Sequence, residues 1–133
     1  MESRSLRRRT MQAVRSKDTA PEMYVRRLLH RRGYRYSLHR EDLPGRPDLV
    51  FSSRRKVIFV HGCFWHGHNC RRGHRVPKSN TEYWTAKIAR NRSRDIKTRK
   101  KLRTAGWSVL VLWECWLRDE VKTMARLERF LEA

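Results

Sequence analysis

The chain has 133 residues, of which 33 are Lys or Arg and 13 are Asp or Glu, giving a formal net charge of +20 at pH 7. This length fits one domain with an ordinary core, and this charge makes affinity for nucleic acid almost unavoidable. No apolar run approaches the roughly 20 residues that cross a bilayer, so no membrane role is expected. A basic structural protein of the ribosomal or chromatin type would need neither the five tryptophans nor the cluster of His and Cys.

The N-terminus and the cysteine count predict a cytoplasmic protein. The first residues are rich in arginine and contain no continuous apolar segment, so no signal peptide is predicted. Three cysteines are an odd number, which argues against a secreted disulfide framework and favours thiolates in a reducing compartment.

The chain begins with a basic segment and then a helix. Residues 1–18 are rich in Lys and Arg and poor in apolar side chains, which predicts a flexible arm that orders on phosphate. Residues 19–133 form the predicted folded domain. Thr19 and Glu22 have the spacing of a capping box, which predicts a helix that stops at Gly33.

Three strands are predicted next. Residues 34–38 alternate as in a half-buried strand, and Asp48 opens a second strand, Leu49–Phe51. A polar turn leads into the third strand, Lys56–His61. A tight hairpin would pair residue 51 with residue 56, which places Asp48 near the end of the third strand, where the His/Cys loop begins.

The second half of the chain predicts helix, strand and helix. Ser79 and Glu82 form another capping-box pattern, so a long helix is predicted up to Gly106. The three- and four-residue spacing places five of its residues on one face: Trp84, Ile88, Asn91, Asp95 and Leu102. The following strand, residues 107–113, is expected to pair in parallel with the third strand, because the crossover is strand–helix–strand.

The last helix is predicted over residues 119–132. Its apolar residues recur at helical spacing, and the predicted core face consists of Val121, Met124, Leu127 and Leu131. No repeat or linker divides the domain. The predicted helices and strands together make it an α/β fold.

The cysteines and histidines predict a structural zinc site. Three thiols and one imidazole complete the tetrahedral shell: Cys63, His68, Cys70 and Cys115. Apolar filler is the simpler role for cysteine, but two thiols beside several histidines favour a metal. His68 is preferred as the fourth ligand because it lies two residues before Cys70. Three other histidines are alternatives for this position: His61, His66 and His74.

Three acids and one histidine are candidates for phosphodiester chemistry. A nuclease needs carboxylates to hold Mg²⁺ against the scissile phosphate, and Asp48 is the best placed. Asp48 has an equally common role as a turn cap, Glu22 is explained by its capping box, and Asp95 has many arginines to pair with. If His68 binds zinc, His66 stays free for proton transfer, unless it is an ordinary surface histidine.

Aromatic side chains predict a wedge for a base stack. Phe64 and Trp65 occupy the tip of the ligand loop, where burial in a core would be awkward, so a wedge is favoured. For Trp84, in the first turn of the long helix, wedge and core remain equally good interpretations.

These motifs together resemble a known family. They are Asp48 after Leu-Pro-Gly-Arg-Pro, the run Val-Ile-Phe-x-His-Gly-Cys-Phe-Trp-His, Trp84 with Asn91 and Asp95, and Trp-Glu-Cys at 113–115. The chain resembles the very short patch repair endonucleases of bacteria from about Met11 to the last helix.

The resemblance implies a fold and an activity. The fold is restriction-endonuclease-like, with a central mixed sheet flanked by helices and a structural zinc. The implied reaction is Mg²⁺-dependent nicking of duplex DNA 5′ to the thymine of a T:G mismatch that deamination of 5-methylcytosine has left. The implied setting is the nucleoid of a bacterial cytoplasm, where a monomer works beside mismatch-repair proteins.

The resemblance also implies residue roles. The magnesium ligands are Asp48 and the backbone carbonyl of Val60, a position where the family often has threonine. Catalysis would involve the same aspartate with His66, Glu22, His61 and Asp95. Zinc would be held by Cys63, His68, Cys70 and Cys115. Intercalation would involve Phe64, Trp65, Trp84 and, from the other groove, Met11.

Two other functions remain open. A restriction-type nuclease would cut matched duplex, and a zinc-stabilised DNA-binding module would perform no chemistry. The binding module needs neither Asp48 nor His66, so these two residues favour an enzyme.

Overall fold

The computed structural model describes residues 18–63, 66–68, 70 and 79–133. In these ranges the chain forms four strands, three α-helices and one 3₁₀ helix. In chain order they are α1 (Ala20–Arg31), β1 (Ser37–Leu38), β2 (Leu49–Phe51), β3 (Lys56–His61), α2 (Thr81–Thr104), β4 (Ser108–Trp113), the 3₁₀ helix (Glu114–Arg118) and α3 (Glu120–Glu132).

The four strands form one mixed sheet in the order β1-β2-β3-β4. The β2–β3 hairpin is antiparallel and pairs Phe51 with Lys56, as the turn length predicts. β3 pairs with β4 in parallel, with Val57 opposite Val109, which confirms the predicted crossover through α2. The α/β class and the mixed sheet flanked by helices are therefore confirmed.

Helices cover both faces of the sheet. One core cluster joins α1 and α3 to the sheet through residues such as Leu28, Leu127 and Ile58. The other joins α2 to the opposite face through Leu102 and Val57. Because β2 and β3 are buried on both sides, their sequences are nearly continuous apolar runs rather than alternating ones.

The start of α1 agrees with the predicted cap, and the start of α2 does not. Thr19 caps α1, and its Oγ1 accepts a hydrogen bond from the Glu22 N–H at 3.4 Å. The predicted capping box at Ser79 is wrong, because α2 begins after Asn80, which has left-handed backbone (φ 57°) and no side-chain cap bond. Asparagine tolerates that conformation well, so the chain turns into the helix without a serine cap.

The predicted core face of α3 is wrong at Val121, which is 79% exposed. The helix begins at Glu120, so Val121 lies in its first turn and faces solvent. Thr123 is buried instead, and its hydroxyl donates to the carbonyl of Asp119 at 2.8 Å. Met124, Leu127 and Leu131 are buried as predicted. In the described part of the chain, no helix has both the length and the apolar character that a membrane span requires.

Candidate active site and zinc centre

Asp48 is bonded across the β2–β3 hairpin. Its Oδ2 accepts a hydrogen bond from the backbone N–H of Val60, at 2.6 Å. The hairpin register causes this contact, because it brings the residue before β2 level with the end of β3. The carboxylate therefore contacts the strand that leads into the His/Cys loop.

Glu22 lies beside Asp48 and is only 2% exposed. Its Oε2 accepts hydrogen bonds from the N–H of Asp18, at 3.2 Å, and from Arg26. Its Oε1 lies 3.0 Å from Nε2 of His39. The Glu22 side chain therefore contacts Arg26 and His39 as well as the backbone just before α1.

His39 is a site residue that the sequence patterns missed. Its Nε2 lies 3.8 Å from Oδ1 of Asp48 as well as 3.0 Å from Glu22. The local sequence carries only a weak signal, a histidine between a predicted strand and the turn before Asp48. The contact with Glu22 depends on how α1 packs beside β1, which no local pattern reveals.

The electrostatics of Asp48 favour a bound cation. Burial raises the pKa of Asp48 to about 8, the hydrogen bond from Val60 opposes that shift, and the neighbouring carboxylate of Glu22 adds to it. Glu22 is buried and Asp48 is half-buried, and their carboxylates offer the oxygen donors that Mg²⁺ prefers. A divalent cation beside them would favour their charged forms. The residues therefore fit a magnesium ion.

A second cluster contains His61, His66 and Asp95. Nδ1 of His66 lies 2.5 Å from Oδ2 of Asp95, in the middle of α2. The rings of His61 and His66 stack, with centroids 3.7 Å apart and planes 2° from parallel. Burial alone would raise the pKa of Asp95, but the hydrogen bond with His66 and the two imidazoles hold that pKa below its usual value.

His61 is the buried member of the stacked pair. Burial, and then the neighbouring His66, lower the pKa of His61 to about 3, so the ring is neutral. Its Nδ1 is buried without a hydrogen-bond partner among the described residues. A buried polar nitrogen of this kind calls for a water molecule or an ion.

The loop that carries His66 packs tightly against α2 at Gly67. This glycine has φ +61°, and a Cβ there would lie 2.7 Å from Cγ2 of Ile88 and 2.7 Å from Cδ of Arg92. The N–H of His68 donates to the carbonyl of Cys63 at 3.0 Å, which brings the backbone of these two residues together. Because the helix contacts the loop backbone directly, it holds His66 close to Asp95.

The four predicted zinc ligands come together. Cys63, His68, Cys70 and Cys115 offer ligand atoms that all lie within 4.8 Å of one another. Nδ1 of His68 lies 3.5 Å from Sγ of Cys115, and its ring stacks on Trp113 with centroids 4.1 Å apart. His61 and His66 belong to the other cluster, and His74 lies outside the described residues.

The donor chemistry of this Cys₃His cluster suits zinc. Burial raises the pKa of Cys63 to about 12, and hydrogen bonds with the other two thiols add to that effect. Zinc binds thiolates, so an ion among these sulfurs would remove the protons that burial otherwise favours.

Of the four predicted wedge residues, Trp84 belongs to the described part of the chain. Trp84 is half-buried in the first turn of α2 and meets Tyr83 edge to face, with ring centroids 5.1 Å apart. Phe64, Trp65 and Met11 lie outside the described residues, as do residues 1–17 of the predicted arm.

Comparison with known proteins relates the chain to DNA-nicking enzymes. The family model for the DNA mismatch endonuclease Vsr matches residues 2–72. The type II nicking enzyme V.XorIIP of Xanthomonas oryzae pv. oryzae is 56% identical over 126 residues, which are 95% of this chain and 92% of that protein. The type II nicking enzyme V.NmeAIP of Neisseria meningitidis is 44% identical over 121 residues, 91% of this chain and 86% of that protein.

The Escherichia coli protein DNA mismatch endonuclease Vsr is 42% identical over 119 residues, which are 90% of this chain and 76% of that protein. The family match covers α1, the hairpin and the loop after β3, and the residues aligned with these relatives make up 90–95% of the chain. The chain therefore belongs to the Vsr family of DNA mismatch endonucleases.

Proposed function

We propose that this protein nicks duplex DNA 5′ to the thymine of a T:G mismatch that arises by deamination of 5-methylcytosine, in a Mg²⁺-dependent phosphodiester hydrolysis. The observation that carries the proposal is the bond of 2.6 Å between Asp48 and the Val60 N–H. It brings a half-buried carboxylate to the strand whose next residue, His61, belongs to the histidine cluster.

Asp48 and the backbone carbonyl of Val60 hold Mg²⁺ in this proposal. The bound ion would supply Lewis-acid stabilisation of the phosphate and a more acidic water ligand. Glu22 and His61 would orient water at the site. The Nδ1 of His61, buried without a partner, supports that role because it needs one more hydrogen bond.

His66 transfers a proton during hydrolysis, and Asp95 orients it. The carboxylate of Asp95 engages Nδ1 of His66, which leaves Nε2 to exchange a proton with the reacting groups. Stacking on the neutral ring of His61 restricts the rotation of His66. A restricted imidazole loses less entropy when the DNA arrives.

Zinc at Cys63, His68, Cys70 and Cys115 has a structural role in this proposal. It would fix both ends of the loop that carries His66 and the wedge residues Phe64 and Trp65. Together with Trp84 and Met11, these side chains would enter the base stack beside the mismatch. A T:G pair is cheaper to unstack than a matched pair, which gives a physical source of selectivity.

The mixed sheet flanked by helices is compatible with a restriction-endonuclease-like core. Residues 1–18 act as an arm that contacts DNA phosphates, and residues 19–133 act as the nicking domain. The protein works as a monomer in a bacterial cytoplasm, at the nucleoid, beside mismatch-repair proteins.

A nicking assay tests the function. Two duplexes with identical flanks, one with a T:G pair and one with T:A, are incubated with Mg²⁺ and separated on a denaturing gel. We expect one cut, in the thymine strand of the T:G duplex, and no cut after chelation of the metal. Equal cutting of both duplexes would favour a restriction-type nuclease, and binding without any cut would favour a DNA-binding module.

A further inference from the structure

His39 has an unusual backbone conformation. It follows β1 directly and has φ +46°, in the left-handed region that a non-glycine residue rarely occupies. Its side chain is 17% exposed and lies against Glu22, which is 2% exposed. Strained backbone conformations of this kind tend to persist at functional sites, where the surrounding contacts hold them.

One nitrogen of His39 faces both carboxylates of the proposed magnesium site. Nε2 lies 3.0 Å from Oε1 of Glu22 and 3.8 Å from Oδ1 of Asp48. The other oxygen of each acid already has protein donors. Oε2 of Glu22 accepts from Asp18 and Arg26, and Oδ2 of Asp48 accepts from Val60. His39 therefore lies beside the remaining oxygen of each acid.

We propose that His39 is a positioning residue that sets the place of Glu22 relative to Asp48 and thereby the affinity of the site for its divalent cation. The inference rests on the proposed function. A glutamate side chain has several rotamers, and a hydrogen bond from His39 to Oε1 selects the one in which this oxygen faces Asp48. Outer-shell partners that orient the carboxylates of a metal site typically change metal affinity by about 10–100-fold when they are removed.

Four variants separate this role from simple packing. His39→Ala removes the hydrogen bond. His39→Gln keeps an N–H donor at similar reach, and His39→Asn keeps a donor one methylene shorter on a residue that accepts positive φ. His30→Ala is the matched control, because His30 is an exposed histidine near the end of α1.

The main readout is metal binding without catalysis. Bound Mn²⁺ is measured by electron paramagnetic resonance, as a Mg²⁺ substitute, for each variant and for the wild-type chain. The half-saturating Mg²⁺ concentration for nicking a T:G duplex is the second readout. Affinity for that duplex without metal, and the melting temperature, report on DNA binding and folding.

We expect His39→Ala to weaken Mn²⁺ binding by about 10–100-fold and to raise the half-saturating Mg²⁺ concentration in parallel. His39→Gln should recover most of the affinity, and His30→Ala should match the wild-type chain. Metal-free DNA affinity should not change in any variant.

Unchanged Mn²⁺ affinity in His39→Ala would overturn the inference. It would also be overturned if His39→Gln bound Mn²⁺ as weakly as His39→Ala while the two variants had equal melting temperatures. If His39→Ala does not fold, His39→Asn replaces it. Weaker Mn²⁺ binding by His39→Asn than by His39→Gln would support the positioning role, and equal binding by the two would overturn it. A wild-type chain that binds no Mn²⁺ and nicks no T:G duplex would reject the proposed function itself, which distinguishes the two failures.

Discussion

Oδ2 of Asp95 and Nδ1 of His66 are 2.5 Å apart, so the middle of α2 holds a side chain of the loop that follows β3. Asp95 thus interrupts the apolar stripe of its helix for a reason that lies in another element. The loop also contacts α2 through Gly67, where a Cβ would clash with Ile88 and Arg92. The helix therefore controls both the position and the orientation of the imidazole.

His66→Ala should lower the rate of nicking by about 10²–10⁴-fold, because it removes the proposed proton-transfer group. Asp95→Asn should cause a smaller loss, since the imidazole remains but is less well oriented. Single-turnover nicking of a T:G duplex measures both rates, and Asp42→Asn serves as a control because Asp42 is an exposed acid paired with Arg40. A wild-type rate in His66→Ala would rule out this active site.

Asp48→Asn should abolish nicking and leave mismatch binding largely intact. The amide keeps the size of the side chain but removes the negative charge that the proposed Mg²⁺ requires. Mn²⁺ binding should disappear in the same variant, whereas affinity for a T:G duplex without metal should persist. Nicking at the normal rate by Asp48→Asn would refute the proposed metal site.

The Cys₃His cluster should contain one zinc ion per chain after purification. Cys70→Ser and Cys115→Ser should each lower the melting temperature, because a structural zinc site contributes directly to the free energy of folding. Metal analysis of the folded protein and thermal unfolding provide the measurements. Folded, active protein without zinc would contradict the prediction.

Trp65→Ala should reduce the preference for T:G over T:A, because a wedge discriminates by the cost of opening a base step, about a few kcal/mol. Arg8→Ala, in the basic arm, should instead weaken binding to both duplexes equally and flatten the salt dependence of that binding, since phosphate contacts carry no sequence information. Affinities of both variants for both duplexes, measured over a salt series, test these two predictions. If Trp65→Ala weakened binding to both duplexes equally, Trp65 would be a packing residue and not a wedge.

Lys56→Met should lower the free energy of unfolding by about 2 kcal/mol. Lys56 is a buried lysine at the start of β3, and its Nζ donates to the carbonyls of Phe130, Leu131 and Ala133 at 2.6–3.0 Å. Methionine fills similar space but removes the donor that these three carbonyls at the end of α3 share, although the Leu131 carbonyl still accepts from Nη1 of Arg54 at 2.9 Å. Lys101→Met, at an exposed lysine on α2, is the control in denaturant unfolding, and an equal effect of both changes would exclude the capping role.

The parts of the site that follow from local rules were predictable from the sequence. The turn between β2 and β3 is short, so its length determined the register that brings Asp48 to Val60. The four proposed zinc ligands could be selected because thiols and imidazoles at close spacing are a specific signal. The sequence could not choose firmly between His66 and His68, since the choice depends on which ring faces Cys115 and which faces Asp95.

The parts that depend on packing between elements were missed. His39 bonds Glu22 only because α1 lies beside β1, and the buried Lys56 was indistinguishable from an ordinary polar strand start. The predicted serine cap of α2 failed because a left-handed Asn80 performs the same turn. Val121 has the correct helical spacing, but it lies too close to the start of α3 to reach the sheet.

The parallel pairing of β3 with β4 also determines when the protein becomes complete during its synthesis. Val57 meets Val109 across the whole of α2, and Cys63 meets Cys115 just beyond the end of β4. When a ribosome stalls before β4, the basic arm, Asp48 and His66 have already been synthesised. The strand that pairs with β3 and the thiol of Cys115 have not. An unfinished chain of this length therefore lacks both the strand that pairs with β3 and one of the four proposed zinc ligands.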